Sequence, residues 1–166
     1  MLSNKIENAL NKQIESEAMS SQLYLAMASW AEIKGYSGSA KFLYTHSDEE
    51  RQHMLKFFQY VNERSGHAVV PALKQPPKTF NSLSEVFNQI LKHEVAVSSE
   101  INKLVDTCLS EKDYTTNNFL QWYVSEQVEE ERLAKQIVDK LNLAGGDKGG
   151  LYLFDKELQV LSAAVK

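Results

Sequence analysis

The sequence predicts an all-α chain: a four-helix bundle with one long crossover and a short fifth helix at its C-terminal end. Three observations carry that prediction. All three prolines (Pro71, Pro76, Pro77) fall in one stretch, so the remainder is free to be helical. Of the breaks between the four long helical runs, two are short and one is long, which sets which neighbours are antiparallel and which parallel. Each of those runs also carries one glutamate on its otherwise apolar stripe. The 166 residues suit a single domain, 1–166, with the bundle over 4–144.

In chain order, α1 is expected over about 4–34, with Ser3 as N-cap and Gly35 ending it. α2 follows over about 38–65, capped by Ser37 and closed by Gly66. α3 starts after Ser82, whose spacing to Glu85 is that of a capping box, and ends near Glu111. α4 starts near Tyr114 behind the cap Asp113 and stops before Gly145-Gly146. The last helix, α5, is expected over about 155–164, with Leu158, Leu161 and Val165 on one side. Short turns make α1–α2 and α3–α4 antiparallel hairpins. The connection 67–82, about 16 residues, reaches at most about 53 Å when extended, whereas α2 spans about 42 Å. It can therefore cross the whole bundle and start α3 parallel to α2.

Composition removes several function classes. The net charge of −4 gives no footprint for nucleic acid or an anionic membrane. Cys108 is the only cysteine, so neither a disulfide framework nor a CxxC metal ribbon is available. Residues 1–9 are polar, unlike a secretion signal, and no stretch is apolar enough to span a membrane. A reducing cytoplasm is the expected location.

The four glutamates then stand out. Glu17 lies seven residues from both Leu10 and Tyr24, Glu50 from Leu43 and Phe57, Glu94 from Phe87 and Ile101, and Glu130 from Tyr123 and Ile137. Seven residues is close to two helical turns, so each carboxylate shares the core-facing stripe. Each also falls roughly 12–16 residues into its helix, about 18–24 Å from the start, so the four meet at one level. Like charges in a dry interior are strongly unfavourable unless cations join them. A pair of divalent metals, roughly +4 in total, cancels the four. His53, one turn after Glu50, completes ExxH, an i,i+3 pair on one helical face. Alone that spacing is common on solvated helices; the in-register glutamates give it weight. Carboxylate and imidazole donors without thiolate suit iron or manganese. Glu50 is best placed to bridge, Glu17 and His53 to complete one metal position, and Glu94 and Glu130 the other. Gln127, one turn before Glu130, can hydrogen-bond a bound water or oxygen species.

Residues 17–24, Glu49-Glu50-Arg51-Gln52-His53, His93-Glu94, NFLQWYVSEQVEEE over 118–131 and GLYLFDKEL over 150–158 together resemble the bacterial non-haem ferritins along nearly the whole chain. The resemblance implies a ferritin-like bundle whose dinuclear ferroxidase centre oxidises ferrous iron with dioxygen or hydrogen peroxide. It also implies a homo-24-mer shell that stores the ferric product as a hydrated oxide mineral. A third iron site on Glu49, Glu126 and Glu129, with Glu130 shared, is implied as well; spacing alone reads these three as a solvated acidic edge. Tyr24 lies near the iron centre in the family, where it supplies an electron or a hydrogen bond; the compatible alternative is a core tyrosine satisfying a buried carboxylate. Two departures matter. The second Glu-x-x-His of di-iron proteins is here Gln127-Val-Glu-Glu130, without the histidine, which should weaken the second metal position. Bacterioferritins carry a haem methionine directly after the bridging glutamate, and Arg51 fills that slot here, so no haem is expected.

Other residues receive plainer readings. Trp122 is read as packing rather than redox, His46 as a hydrogen-bonded core histidine, and His67 and His93 as exposed. Met19, Met27 and Met54 are core filler and Cys108 a small buried apolar residue. The rival functions are another di-iron carboxylate oxidase or peroxidase, and a metal-free helical scaffold. The lone cysteine excludes a rubredoxin-like domain, and a scaffold leaves four interior carboxylates uncompensated. Apolar 151–154 and α5 exceed what a lone bundle buries, which points to subunit contacts.

Overall fold

Helix ends decide where each element begins, because the first amides of a helix need acceptors from outside it. The computed structural model describes the backbone of residues 1–164 and side chains through Leu161. Among these residues there are five helices and no strand: α1 Asn4–Ile33, α2 Ser37–Glu63, α3 Leu83–Ser110, α4 Tyr114–Ala144 and α5 Lys148–Ala164. None of them is long and apolar enough to cross a membrane. Three caps are those expected. Ser3 Oγ accepts from the Ile6 amide (3.3 Å), Ser82 Oγ from Glu85 (3.1 Å) and Asp113 Oδ1 from Thr116 (3.0 Å). The return arm at Glu85 reaches one residue further back, to the Asn81 amide (2.7 Å).

The start of α2 differs from expectation. Tyr36 occupies the cap position without a side-chain bond, and Ser37 is already helical. The free amides of Gly38 and Ser39 instead donate to Asp155 of α5, at 2.9 and 2.7 Å, and Ser39 Oγ donates to the same carboxylate (2.8 Å). α5 sits so close here that a Cβ on Gly38 would lie 1.8 Å from the Asp155 carbonyl oxygen. At the other end of α2 the left-handed turn falls on Ser65 (φ 61°), not on Gly66, whereas Gly35 turns as expected (φ 83°).

α5 begins at Lys148, seven residues before the expected start, and runs 17 residues. Gly149 and Gly150 look like helix breakers in the sequence. However, Asp147 Oδ1 accepts from both of their amides (2.9 and 3.1 Å), and Leu151 N bonds the Asp147 carbonyl (3.0 Å). That cap, together with docking on α2, outweighs a glycine cost of about 1 kcal/mol each. Leu158 is buried and Leu161 half-buried as expected; Val165 lies outside the described residues.

Cross-helix hydrogen bonds fix the topology. Lys5 Nζ reaches Glu111 (3.3 Å), Ser16 Oγ donates to Glu100 (2.6 Å), and Ser20 Oγ pairs with His93 (2.6 Å), so α1 and α3 run antiparallel. Tyr60 meets Thr116 (2.9 Å) and Tyr123 OH donates to the His53 carbonyl (2.9 Å), so α2 and α4 do likewise. Since Ser21 and Ser47 exchange bonds across the α1–α2 hairpin, α2 and α3 are parallel, as the long connection requires. The crossover is pinned near the start of α1, where Val69 N donates to Asn11 Oδ1 (2.8 Å). It finishes near the end of α1, where Phe80 packs edge-on against Trp30. The apolar core is split in two. One cluster holds Leu10, Phe57, Ile101 and Leu120; the other holds Met27, Leu43, Phe87 and Ile137, and it continues into Phe154 and Leu158 of α5.

Replacing Asp155 by Ala should cost about 2 kcal/mol of stability, read as a lower Tm, because two buried amides lose their acceptor. Hydrogen exchange at Gly38 and Ser39 should accelerate in the same variant, and unchanged protection there would refute the cap.

Candidate metal centre

Between the two apolar clusters lies a layer of buried polar side chains, among them Glu17, Glu50, His53, Glu94 and Gln127. α1 delivers Glu17, and α2 delivers Glu50 and His53. One donor atom from each lies within 4.8 Å of the other two. His53 Nδ1 stands 3.6 Å from Glu50 Oε2, and Tyr123, whose hydroxyl holds the His53 carbonyl, ties α2 to α4 beside the ring. On the opposite side, Glu94 of α3 accepts from Tyr24 OH at Oε1 (2.6 Å) and from Gln127 Nε2 at Oε2 (3.3 Å). Glu130 of α4 is partly buried and close enough for its charge to bear on Glu50, as Glu94's does. All four helices thus contribute a carboxyl to one level.

Comparison with known proteins gives the family. A family model of the ferritin-like domain matches residues 7–144. The chain is 48% identical to a probable bacterial non-haem ferritin-like protein of Haemophilus influenzae, over 98% of each chain. It is 43% identical to the bacterial non-haem ferritin of Campylobacter jejuni, over 100% of this chain and 99% of that one. The chain belongs to the bacterial non-haem ferritins. Among solved structures, an open-pore ferritin from the archaeon Archaeoglobus fulgidus superposes with a TM-score of 0.94 at 43% identity, covering 96% of this chain and 99% of that one.

Electrostatics in this ferritin follow from the burial. Desolvation first, and then the Glu50 charge, hold the Glu17 carboxyl well above the ordinary carboxylate range. Glu50 is raised by burial and by Glu94, and Glu17 and Glu50 lie close enough to share a proton. Glu130 is pushed up to about 8 by burial, followed by Glu94 and Glu49. Burial, then the charge of Glu94, raises the Tyr24 hydroxyl, which stays protonated and donates. Without a cation the layer therefore holds protons, which an arriving metal displaces.

A second group lies alongside: one donor atom each from His46, Glu49 and Glu130, again within 4.8 Å of one another. His46 is buried, and its Nδ1 lies 3.0 Å from the Phe42 carbonyl, as a core histidine should. Its other nitrogen faces Glu49 at 3.6 Å, which the sequence reading did not foresee. Glu126 reaches His53 Nε2 at 3.9 Å and Glu129 is exposed; neither of them belongs to either group. His93 is not exposed but half-buried against Ser20. Trp122 is 39% exposed; its ring meets His53 edge-on at 5.3 Å, under the Lys56 ammonium. Met27 and Cys108 are buried, while Met19 and Met54 are only partly so. Gln13 was missed altogether. Its Nε2 donates to Glu17 Oε1 (2.9 Å), and the i,i+4 spacing of an amide to a core glutamate is the signal that could have found it.

The raised carboxyls set a pH dependence for the metal-free protein. A carboxyl whose folded pKa exceeds its unfolded value keeps an extra proton in the native chain, so the associated stability is present below about 4.5. It is lost as pH climbs through about 8 for Glu130, with Glu17 and Glu50 acting in the same direction. The metal-free Tm should fall on the order of 5 °C or more between pH 5 and pH 8.5, and saturating divalent metal should flatten that slope. A Tm that rises over this interval would show the carboxyls to be charged and compensated already.

Proposed function

We infer that the protein is an iron-storage ferritin with ferroxidase activity, oxidising ferrous iron within the bundle and storing the ferric product as a hydrated oxide. The observation that carries this reading is the layer of carboxyls, one from each of α1 to α4, with Glu17, Glu50 and Glu94 buried and Glu130 partly so, in a chain that matches the bacterial non-haem ferritins along its full length. Such a layer is stable at neutral pH only with protons or cations in it.

In the proposed mechanism two ferrous ions bind as substrate, one at Glu17, Glu50 and His53, the other at Glu50, Glu94 and Glu130. Glu50 bridges. Gln13 and Tyr24 each occupy one oxygen of their glutamate and so fix its rotamer, and the Gln127 amide stands ready to bond an oxygen species. Each iron gives up one electron. Dioxygen takes two electrons and two protons to become hydrogen peroxide, or peroxide takes them and splits to two waters. Each ferric ion then reacts with two waters to give one FeO(OH) and three protons, which the raised carboxyls buffer on the way out. The second position has no nitrogen donor, so its ion leaves readily. A third iron beside the pair would use Glu49, Glu126, Glu129 and Glu130. Haem has no place in this scheme, since the exposed Arg51 guanidinium after Glu50 offers no axial ligand.

The reading extends to assembly as a 24-subunit shell in the cytoplasm, with the whole chain 1–166 acting as one unit. Tyr152, Leu153 and Val160 on α5 are each more than 60% exposed, a face suited to neighbouring copies. Size-exclusion chromatography should give a particle of several hundred kilodaltons, and elution as a monomer would refute the shell. In anaerobic stopped flow started with oxygen, Glu50→Ala should lose the fast oxidation phase at least about a hundredfold while still assembling. A native initial rate would remove the centre from this site. Gln127→Ala should change the rate or the iron-to-oxygen stoichiometry without loss of folding, and native kinetics would strip that residue of its role.

A further inference from the structure

Gln13 faces two ways. It is 4% exposed, and its Nε2 donates to Glu17 Oε1 at 2.9 Å. It also lines a surface pocket of about 150 Å³ between α1 and α3. Its amide oxygen accepts from no described residue. No buried side-chain nitrogen or oxygen among the described residues lacks a partner, so that oxygen keeps contact with solvent on the pocket side. One side chain thus links the pocket to Glu17.

The chemistry of this pocket repels iron. Lys12 and Lys103 line it, both exposed, while its carboxylate, Glu100, is half-buried and already accepts from Ser16 Oγ (2.6 Å). Two ammonium groups against one carboxylate are unfavourable for an approaching dication. The α2–α4 side, across the bundle, is the reverse. A recess of about 370 Å³ there is lined by Glu49, His53 and Lys56, and Glu126 is near enough for its charge to bear on both Glu49 and Lys56. The two carboxylates outweigh the lysine, so cations are drawn to that side. The α1–α3 pocket is left for a neutral reagent.

We propose that the α1–α3 pocket is the approach for hydrogen peroxide, with Gln13 as the door between it and the iron pair. This rests on the dinuclear reading above, in which peroxide takes one electron from each ferrous ion and two protons, and its O–O bond breaks to give two waters. Peroxide both donates and accepts hydrogen bonds. The Lys12 and Lys103 ammonium groups supply donors to it, and the Gln13 amide oxygen supplies an acceptor. A water-sized molecule needs about 10–15 Å³ of such space, so peroxide fits with its hydration. A glutamine stem is unbranched and free to change rotamer, so breaking the 2.9 Å bond to Glu17 lets the amide swing aside. The opening is then about as wide as that amide. It passes peroxide and holds back bulkier hydroperoxides.

The assembled protein, loaded anaerobically with ferrous iron so that iron entry is complete, is mixed with hydrogen peroxide in stopped flow. Ala9→Phe fills the pocket from α1. It should slow oxidation at least about tenfold, a barrier raised by about 1.4 kcal/mol, while anaerobic cobalt binding stays native. An unchanged rate overturns the proposal. So does equal slowing with dioxygen, which is apolar and needs no hydrogen-bonded approach, because the plug would then be disturbing the centre itself. Where Ala9→Phe loses cobalt binding, Thr107→Phe fills the same pocket from α3 and is read in its place. Gln13→Ala removes the door. The ratio of the peroxide rate to the tert-butyl hydroperoxide rate should then fall at least about tenfold. A merely structural role for Gln13 slows both reagents alike, and an unchanged ratio overturns the inference. If the loaded native protein shows no fast oxidation with peroxide or dioxygen, the parent reading fails, and this inference with it.

Discussion

Desolvated carboxyls at the waist of the bundle are the constraint around which the rest of the fold is arranged. A layer containing Glu17, Glu50 and Glu94 adds no hydrophobic stabilisation and, without cations, opposes folding. The apolar residues above and below it must hold the bundle together. That need explains helices of 27 to 31 residues, with one cluster around Leu10, Phe57 and Leu120 and another around Met27, Leu43 and Phe87. It also explains why the carboxyls come from four different helices. Their mutual distances are then set by interhelical packing, which is close to rigid, and not by a loop that could splay to relieve the repulsion.

The layer is asymmetric in its chemistry. On the α1–α2 side an imidazole and a glutamate come from one helical face, and Gln13 holds the partner glutamate by one oxygen. On the α3–α4 side the supporting groups are a phenol and an amide, both donating to Glu94. On the ligand assignment proposed above, the first position carries nitrogen and binds more firmly, while the second rests on oxygen alone. Two positions of unequal strength sharing Glu50 suit a substrate that enters as a dication, leaves as a trication and must not be retained.

What the sequence discloses follows from what is periodic. Glu17, Glu50, Glu94 and Glu130 are legible because each sits two turns from apolar residues on both sides, and the crossover is legible from its length. The missed features are those where two distant segments meet. Asp155 gives no hint in its own neighbourhood that it caps α2, over a hundred residues earlier, and Ser37 therefore looked like the cap. Gly149 and Gly150 carry the signature of a break, and only the bonds from Asp147 turn them into a first helical turn. His46 was read correctly as a hydrogen-bonded core residue, yet its neighbour across the bundle, Glu130, comes from another helix. His93 looked exposed because Ser20, its partner, lies on α1.

The Asp155 contact also links the two ends of the chain's logic. One face of α5 is committed to α2, where Phe154 and Leu158 are buried and the carboxylate satisfies two amides; the opposite face exposes Tyr152, Leu153 and Val160. A helix of 17 residues opening on two glycines would be marginal in water by itself, so its orientation depends on that docking. α2 in turn carries Glu50 and His53. An α5 that is misplaced would leave the proposed subunit contacts unmade and free the first turn of α2, and the disturbance would pass along a single helix toward the centre. On the assembly and ligand assignment proposed above, the subunit contacts of α5 and the ligands of α2 would thus both lean on the Asp155 contact.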